Sequence, residues 1–218
     1  MAANRKTLLV SIFLMMVVVL AGVSGYYWYE NTYFVSTEDA RVAGDIVKVY
    51  PLLVAKLAEV RAAEGQKVVK GEVLARQELN NLPDSSAEQT LLRAPVDGII
   101  IRKQGTEGEV ATPGQAVFWL VDPHKLYVSA NIEETKISRI KPGQLVEVTL
   151  DLYPGRTFNG RVQEIGQATT ATFSVLPQTT SSNFTKVTQK VPVKIQLTDL
   201  ENLQLIPGTS AVVKIRVR

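Results

Sequence analysis

Apolar residues occur in two patterns along this chain: one continuous run near the N-terminus and short alternating stretches afterwards. The run covers residues 8–23 and leads into an aromatic cluster at residues 26–29. A helix over residues 7–28 would rise roughly 33 Å at about 1.5 Å per residue. That length is sufficient to cross a hydrocarbon core of about 30 Å. The pattern therefore predicts a transmembrane helix over residues 7–29.

Charge and aromatic placement predict the orientation of this helix. Arg5 and Lys6 precede the run, so the positive-inside rule makes residues 1–6 a cytoplasmic tail and places the remaining chain outside. The aromatic cluster would form a belt at the opposite interface. The expected anchor side chains are Leu8, Leu14, Val18, Leu20 and Trp28.

A cleaved signal peptide is the alternative interpretation of this segment. Residues 23–25 are small enough to form a cleavage site. The full spanning length and the aromatic belt favour a retained anchor. Both interpretations export the rest of the chain.

The exported part shows the period-two alternation of half-buried strands. Pro-Gly turn signals separate the stretches at residues 113–114, 142–143, 154–155 and 207–208. One short helix is expected over residues 133–140. The pattern predicts a mainly β architecture, with the inward positions Val146, Val148, Leu150, Val193, Ile195, Leu197, Val213, Ile215 and Val217.

An internal repeat appears when the chain is shifted by 43 residues. The step Glu64-Gly65 then falls on Glu107-Gly108, and each step is followed by a glycine and an apolar stretch. Matched glycines at this spacing are typical of tight turns around short strands. The repeat predicts two halves of one β-sandwich, with structural turns at Gly65, Gly71, Gly98, Gly108 and Gly114.

The composition limits the kinds of binding and catalysis expected of this chain. The 218 residues suit one or two small domains, and a formal charge of +3 without a basic stripe argues against nucleic-acid binding. Cysteine is absent and His124 is the single histidine. The adjacent carboxylates Glu133 and Glu134 would point in different directions on a helix. We therefore expect no enzyme activity, no metal site and no cofactor.

Several segments, in this order, resemble membrane fusion proteins of the HlyD family, and its EmrA-type branch in particular. Residues 37–44 (TEDARVAG) are similar to the strand that begins the exported part in that family. Residues 93–100 (RAPVDGII) resemble the second half of a biotinyl/lipoyl-like domain. The most specific match is FSVLP at residues 173–177, followed by residues 183–187 and 189–193.

The resemblance implies a domain order and a function. It implies a first strand over residues 30–44, a lipoyl-like sandwich over 45–123 with a short insert at 79–92, and a β-barrel over 124–218. It also implies an adaptor for a cytoplasmic-membrane transporter of the major facilitator class, which exports drugs or small amphipathic compounds. Homo-oligomerisation is expected from the same resemblance.

One departure from the family pattern concerns the segment between the two lipoyl-like halves. Family members usually carry a long α-helical hairpin there, whereas only residues 79–90 fill the gap in this chain. A turn or two of helix could follow Asp84, which is too short to reach an outer-membrane channel. Residues 79–92 also contain no lysine, so a lipoyl or biotin carrier is not expected.

A polar segment at residues 167–189 is rich in Ser and Thr. It fits either a surface loop or a surface that contacts a partner or substrate, since long loops in compact domains are often functional. The residues of interest are Phe173, Leu176, Pro177, Asn183, Phe184, Lys186 and Gln189.

Two other functions remain open at this point. An adaptor of an ATP-driven peptide or toxin exporter would share this architecture. An anchored surface-binding module without a transporter is the alternative from a different class.

Val17→Lys tests the predicted anchor. A lysine at the centre of a membrane-spanning helix costs about 3 kcal/mol for insertion. We expect a clear shift of the variant from the membrane fraction to the soluble or degraded fraction on immunoblots. Full membrane retention would mean that another part of the protein holds it there.

Overall fold

The computed structural model describes residues 2–78, 84–170, 188–198 and 205–217. The chain divides into two compact units. One contains residues 1–41, 128–200 and 209–218, and the other contains residues 42–127 and 201–208.

The N-terminal helix, α1, covers Ala2–Tyr33 and exceeds the predicted range of 7–29 at both ends. Within the described residues it is the one helix long and apolar enough to cross a membrane, judged by length and composition. Leu14, Val18, Leu20 and Trp28 are all more than half exposed, so no protein surface covers them. A helix that is apolar on every side and uncovered by protein is suited to lipid. The side chain of Leu8 lies outside the described residues.

Strands make up most of the remaining described chain. In chain order they are β1 Phe34–Ala43, β2 Ile46–Val49, β3 Ala55–Val60, β4 Lys67–Val68, β5 Val73–Gln77, β6 Leu91–Arg93, β7 Gly98–Lys103, β8 Val110–Ala111, β9 Phe118–Val121, β10 Tyr127–Glu133, β11 Leu145–Leu150, β12 Thr157–Ile165, β13 Lys190–Leu197 and β14 Ser210–Arg216. A short helix, α2, covers Glu134–Ile137, and 3-10 helices cover Asp84–Thr90 and Pro123–Lys125. Thus α2 is shorter than the predicted helix over 133–140.

Six strands form a closed antiparallel barrel in the order β1-β10-β13-β12-β11-β14. The predicted inward positions of β11, β13 and β14 are buried, whereas Val217 follows β14 and is half-buried. Val148 illustrates the packing, because it lies opposite Phe158 on one side and Val213 on the other. Each such side chain contributes about 1.5–3 kcal/mol of burial free energy. Closure also leaves no unpaired strand edge.

The first strand belongs to this barrel, whereas the sequence predicts it as a separate segment before the sandwich. Strand β1 pairs with β14 from Phe34 opposite Arg216 to Arg41 opposite Ser210. Val35 and Ala40 are buried on the inward side. The physical reason is that the barrel needs β1 between β10 and β14 to close.

The second unit contains two four-stranded sheets, β2-β9-β7-β4 and β6-β5-β3-β8. Their facing sides enclose one apolar cluster, which includes Leu57, Leu74, Ile100, Phe118 and Leu120, each at most 1% exposed. This arrangement is a small β-sandwich, with one sheet on each side of the core.

The 43-residue repeat corresponds to pairs of equivalent hydrogen bonds. The backbone N–H of Gly65 donates to the carbonyl of Ile100 at 2.8 Å, and that of Gly108 donates to Leu57 at 2.8 Å. The carboxylates of the two glutamates also form equivalent hydrogen bonds. Glu64 accepts from the N–H of Lys103 at 2.8 Å, and Glu107 accepts from that of Val60 at 3.0 Å. In each Glu-Gly step, therefore, both residues bind a strand of the opposite half.

Four of the five selected glycines adopt positive φ, with values of 81° at Gly65, 87° at Gly71, 83° at Gly108 and 96° at Gly114. Gly98 differs, because it begins β7 and is not in a turn. A Cβ at Gly98 would lie 2.6 Å from the carbonyl oxygen of Val121. Glycine is needed there for close backbone contact between strands, so the turn assigned to Gly98 is wrong.

Gly114→Val should destabilise the sandwich. No atom lies within 4 Å of an added Cβ, so the cost is backbone strain alone. For an L-residue that strain amounts to roughly 1–2 kcal/mol. We expect a lower denaturation midpoint, measured in the full chain with Trp28→Phe by fluorescence of Trp119, which lies in β9.

Gly114→Asn is the matched control, because asparagine tolerates positive φ better than a β-branched residue. It should lose clearly less stability than the valine variant. Equal midpoints for the wild type and both variants would contradict the role assigned to this turn.

Candidate functional site

The junction between the anchor and the barrel is the candidate functional site. Helix α1 ends at Tyr33 and β1 begins at Phe34, with no linker between them. We define the junction as residues 26–34, 134–144 and 214–217, all of which belong to the barrel-containing unit. The residues at this end of the barrel fix how the anchor leaves it.

Arg139 caps the C-terminal end of α1. Its Nη2 atom donates hydrogen bonds to the carbonyl oxygens of Asn31 at 2.8 Å and Thr32 at 2.7 Å. The last carbonyl groups of a helix lack partners within the helix and carry partial negative charge. The last turn of α1 contains no basic residue of its own. Arg139, from the loop after α2, supplies the missing donor and positive charge.

Strand β14 contacts the same end of α1. Lys214 forms an ion pair with Glu30 and lies 4.3 Å from the ring centroid of Phe34. The hydrogen bond to Glu30 raises the pKa of Lys214 above its ordinary value. Lys214 therefore stays protonated at neutral pH. The N–H of Val217 donates to the carbonyl of Tyr33 at 2.9 Å.

Aromatic side chains occupy the last turns of the helix. The ring of Tyr29 lies 4.7 Å from that of Tyr33 and 6.3 Å from that of Phe34. Tyr27 and Trp28 are exposed. Amphipathic rings at this position are typical of a membrane–water interface.

Two open clefts flank the junction. One has a volume of about 520 Å³ and the other about 410 Å³. They are lined respectively by Tyr27, Trp28, Glu30, Asn31, Phe34, Val35, Ser36 and Lys136, and by Asn31, Thr32, Ser138, Arg139, Lys141 and Val217. Their mixture of aromatic, amide and cationic groups suits contact with a membrane interface or another protein. Across the described residues there is no cluster of three or more metal-ligating side chains.

A polar bridge joins three neighbouring strands of the barrel. Asp39 accepts from Lys190 Nζ at 2.7 Å and from Asn131 Nδ2 at 3.0 Å. The hydrogen bond from Lys190 holds the pKa of Asp39 below its usual value, and Asn131 acts in the same direction. The ionised carboxylate of Asp39 therefore contributes to the stability of the fold at neutral pH. This contribution is lost as the pH falls through the lowered pKa.

The predicted contact residues Phe173, Leu176, Pro177, Asn183, Phe184 and Lys186 lie outside the described residues. Gln189 is described. Its carbonyl oxygen accepts from the N–H of Glu134, at the start of α2, at 2.9 Å. The C-terminal end of the predicted contact segment is therefore attached beside the junction.

His124 lies in a 3-10 helix whose N-terminus is capped by Asp122.

Sequence reasoning missed Arg139 and Lys214. Arg139 and Asn31 are 108 residues apart, so no local pattern pairs them. The one available signal was the absence of a basic residue in the last turn of α1. That absence indicates a missing partner without identifying it.

The barrel matches a known family. The family model for the AAEA-like beta-barrel domain matches residues 125–216. Solved structures extend the likeness to the fold as a whole. The periplasmic adaptor protein EmrA has a TM-score of 0.56 at 17% identity, covering 84% of this chain and 98% of that chain. The membrane fusion protein Spr0693 of Streptococcus pneumoniae R6 has a TM-score of 0.58 at 15% identity, covering 85% and 99%. These values show a membrane-fusion-protein fold.

Sequence relatives define the family more closely. The chain is 38% identical over 216 residues to YhbJ of Bacillus subtilis (strain 168), covering 97% of this chain and 94% of YhbJ. The assignment of YhbJ as an efflux system component is itself provisional. Multidrug export protein EmrA of Haemophilus influenzae is 33% identical over 135 residues, covering 60% of this chain and 34% of that protein. This chain belongs to the EmrA-type branch of the HlyD family of membrane fusion proteins.

This membership confirms the predicted family and the mainly β architecture with one N-terminal apolar helix. The family consists of adaptors that are structural components of transport systems. The helix and these relatives fit a protein anchored in the cytoplasmic membrane. The chain spans about a third of the length of the EmrA relative.

Arg139→Ala should loosen the junction. Loss of two charge-assisted hydrogen bonds at a half-buried position is expected to cost about 1 kcal/mol. We expect the amide of Val217, which donates to Tyr33, to exchange with deuterium about fivefold faster, since 1.4 kcal/mol corresponds to roughly tenfold.

Lys141→Ala is the control, because Lys141 is an exposed cation in the same loop. It should leave the exchange of Val217 unchanged, and Arg139→Lys should give an intermediate rate. Equal effects of the two alanine variants would show that Arg139 acts only through general charge.

Proposed function

We propose that this chain is the membrane-anchored adaptor of an exporter of drugs or small amphipathic compounds, acting with a major-facilitator transporter in the cytoplasmic membrane. The match to an efflux system component along 97% of the chain carries this proposal. Relatives that match shorter parts of the chain are named as multidrug export and resistance proteins, which favours the same substrates.

The junction supports an adaptor held directly at the membrane. Because no linker separates α1 from β1, the barrel begins where the aromatic end of the helix leaves the bilayer. Arg139 and Lys214 then hold the helix against the barrel. The barrel is thereby available to the outer face of a transporter, which supplies the energy for export.

The orientation follows from the charges that flank the helix. Arg5 and Lys6 favour a cytoplasmic N-terminus under the positive-inside rule. The barrel and the sandwich are then outside the cytoplasm. We further propose that the adaptor works as a homo-oligomer around the exit path.

The short segment between the sandwich halves limits the reach of the adaptor. The alignment with YhbJ covers 97% of this chain and 94% of YhbJ. YhbJ therefore carries no long inserted hairpin relative to this sequence. We propose that this chain acts at the transporter alone and does not contact an outer-membrane channel.

The segment that includes Phe173, Leu176, Pro177, Asn183, Phe184, Lys186 and Gln189 remains our proposed contact with the transporter or substrate. Support comes from Gln189, which is bonded to the first residue of α2 in the junction. One end of the segment is thus near the end of the barrel from which the anchor emerges.

Affinity purification from native membranes tests the proposal. The full-length chain should carry its tag at the N-terminus, because Val217, next to the C-terminus, takes part in the junction. After mild solubilisation and crosslinking, mass spectrometry should identify a major-facilitator transporter. The matched control is Val17→Lys, which should lose this enrichment together with its anchoring.

The alternatives give different results in the same experiment. Enrichment of an ATP-binding exporter would replace the proposed partner with the ATP-driven class. Absence of any transporter across several detergents, combined with unchanged drug susceptibility after deletion, would favour an anchored surface-binding module.

A further inference from the structure

The outward side of the sheet β2-β9-β7-β4 carries a groove that the adaptor role leaves unexplained. It has a volume of about 570 Å³, within the usual range for small-molecule sites. Every residue that lines it belongs to the sandwich-containing unit. The lining residues are Ile46, Gly65, Ile99, Ile100, Ile101, Arg102, Trp119, Val121, Pro123, Leu126, Leu205, Ile206, Pro207 and Gly208.

The floor and the rim of the groove are apolar. Val121, Leu126 and Leu205 are at most 7% exposed, so they form a packed base. Ile46 and Ile206 are 46% and 49% exposed. Adjacent exposed isoleucines on a groove with an apolar base indicate a surface that gains free energy when an apolar body covers it.

The residues that line the groove carry positive charge only. Arg102 is the one ionisable residue among the lining residues, and no carboxylate lies among them. Asp45, Glu64 and Asp122 are sequence neighbours of lining residues. Glu64 accepts from the N–H of Lys103, and Asp122 accepts from that of His124.

A second cation lies close to Arg102. Lys48 Nζ is 4.7 Å and Arg102 Cζ is 5.1 Å from the ring centroid of Trp119. Both cations are exposed, and neither forms a salt bridge with a carboxylate of the described residues. Their charges are thus available to an anion at this end of the groove.

Trp119 adds a polar group to the same wall. Its indole Nε1 is buried and has no hydrogen-bond partner in the described structure. A buried donor is normally paired. The fold therefore leaves one donor unpaired beside the two cations.

We propose that this groove binds a small anionic amphiphile, with its apolar body over Ile46, Ile99 and Ile206 and its carboxylate or sulfonate beside Arg102 and Lys48. The inference rests on the proposed export function, because it assigns a substrate class to it. The adaptor would then hold the exported compound on its own sandwich.

The chain provides a direct reporter of binding. It contains two tryptophans, Trp28 in α1 and Trp119 in the groove. In a Trp28→Phe background the emission of Trp119 alone is observed. The full-length protein is placed in phosphatidylcholine nanodiscs and titrated with decanoate, and empty nanodiscs correct for partitioning into lipid.

Decanoate should change the Trp119 emission saturably, whereas decyltrimethylammonium, with the same chain length and the opposite charge, should not. Arg102→Gln should weaken the decanoate midpoint by about three- to tenfold, in line with a partly exposed charge contact. The variants are compared by the decanoate concentration at half-saturation and not by the size of the emission change. Arg102 contacts the indole ring, so its replacement alters the emission even without ligand. Ile206→Asp should abolish saturation by introducing an anion at the apolar rim.

Lys56→Gln is the matched control, because Lys56 is an exposed cation on the other sheet of the sandwich. It should leave the decanoate midpoint unchanged. Equal responses to both amphiphiles, equal effects of Arg102→Gln and Lys56→Gln, or a signal no greater than partitioning would overturn the proposal. None of these results would affect co-purification with a transporter, so failure here is distinguishable from failure of the adaptor function.

Discussion

The last carbonyl groups of α1 need hydrogen-bond donors from outside the helix, and the barrel-containing unit supplies them. This requirement couples the anchor to the barrel. The chain has no glycine cap at residues 33–34, because Tyr33 passes directly into the strand that starts at Phe34. Arg139 and the N–H of Val217 supply the donors. These donors are near neighbours only when the barrel has closed. Barrel closure and helix termination therefore stabilise each other.

Much of this fold follows from local patterns, and its closure does not. A continuous apolar run predicts the helix, and period-two alternation predicts the strands around Val148 and Ile195, both of which are buried. The membership of β1 in the barrel cannot be predicted locally, because it depends on distant pairing such as Val35 opposite Ile215. The junction was missed for the same reason, since the contact of Arg139 with Asn31 joins residues 108 positions apart.

In the sandwich, by contrast, contacts between distant residues can be predicted from the sequence. Two equivalent halves repeat the same short signal, so the sequence already contains evidence for contacts between them. Glu64 and Glu107 each bind a backbone N–H of the other half, which explains why Gly65 and Gly108 each follow a glutamate. Gly98 was misassigned because a glycine required for close strand approach and one required for positive φ look alike in sequence.

The two proposals depend on different units and different physical causes. The proposed anchoring and transporter contact depend on the barrel-containing unit, where a cationic side chain satisfies helix carbonyls and aromatic rings pack along the last turn of the helix. Ligand binding depends on the sandwich-containing unit, where an apolar groove adjoins two cations without salt bridges to described carboxylates. A charge change at Arg139 should therefore leave the groove intact, and one at Arg102 should leave the anchor intact. This separation allows substrate binding and assembly to be altered one at a time in the full-length adaptor.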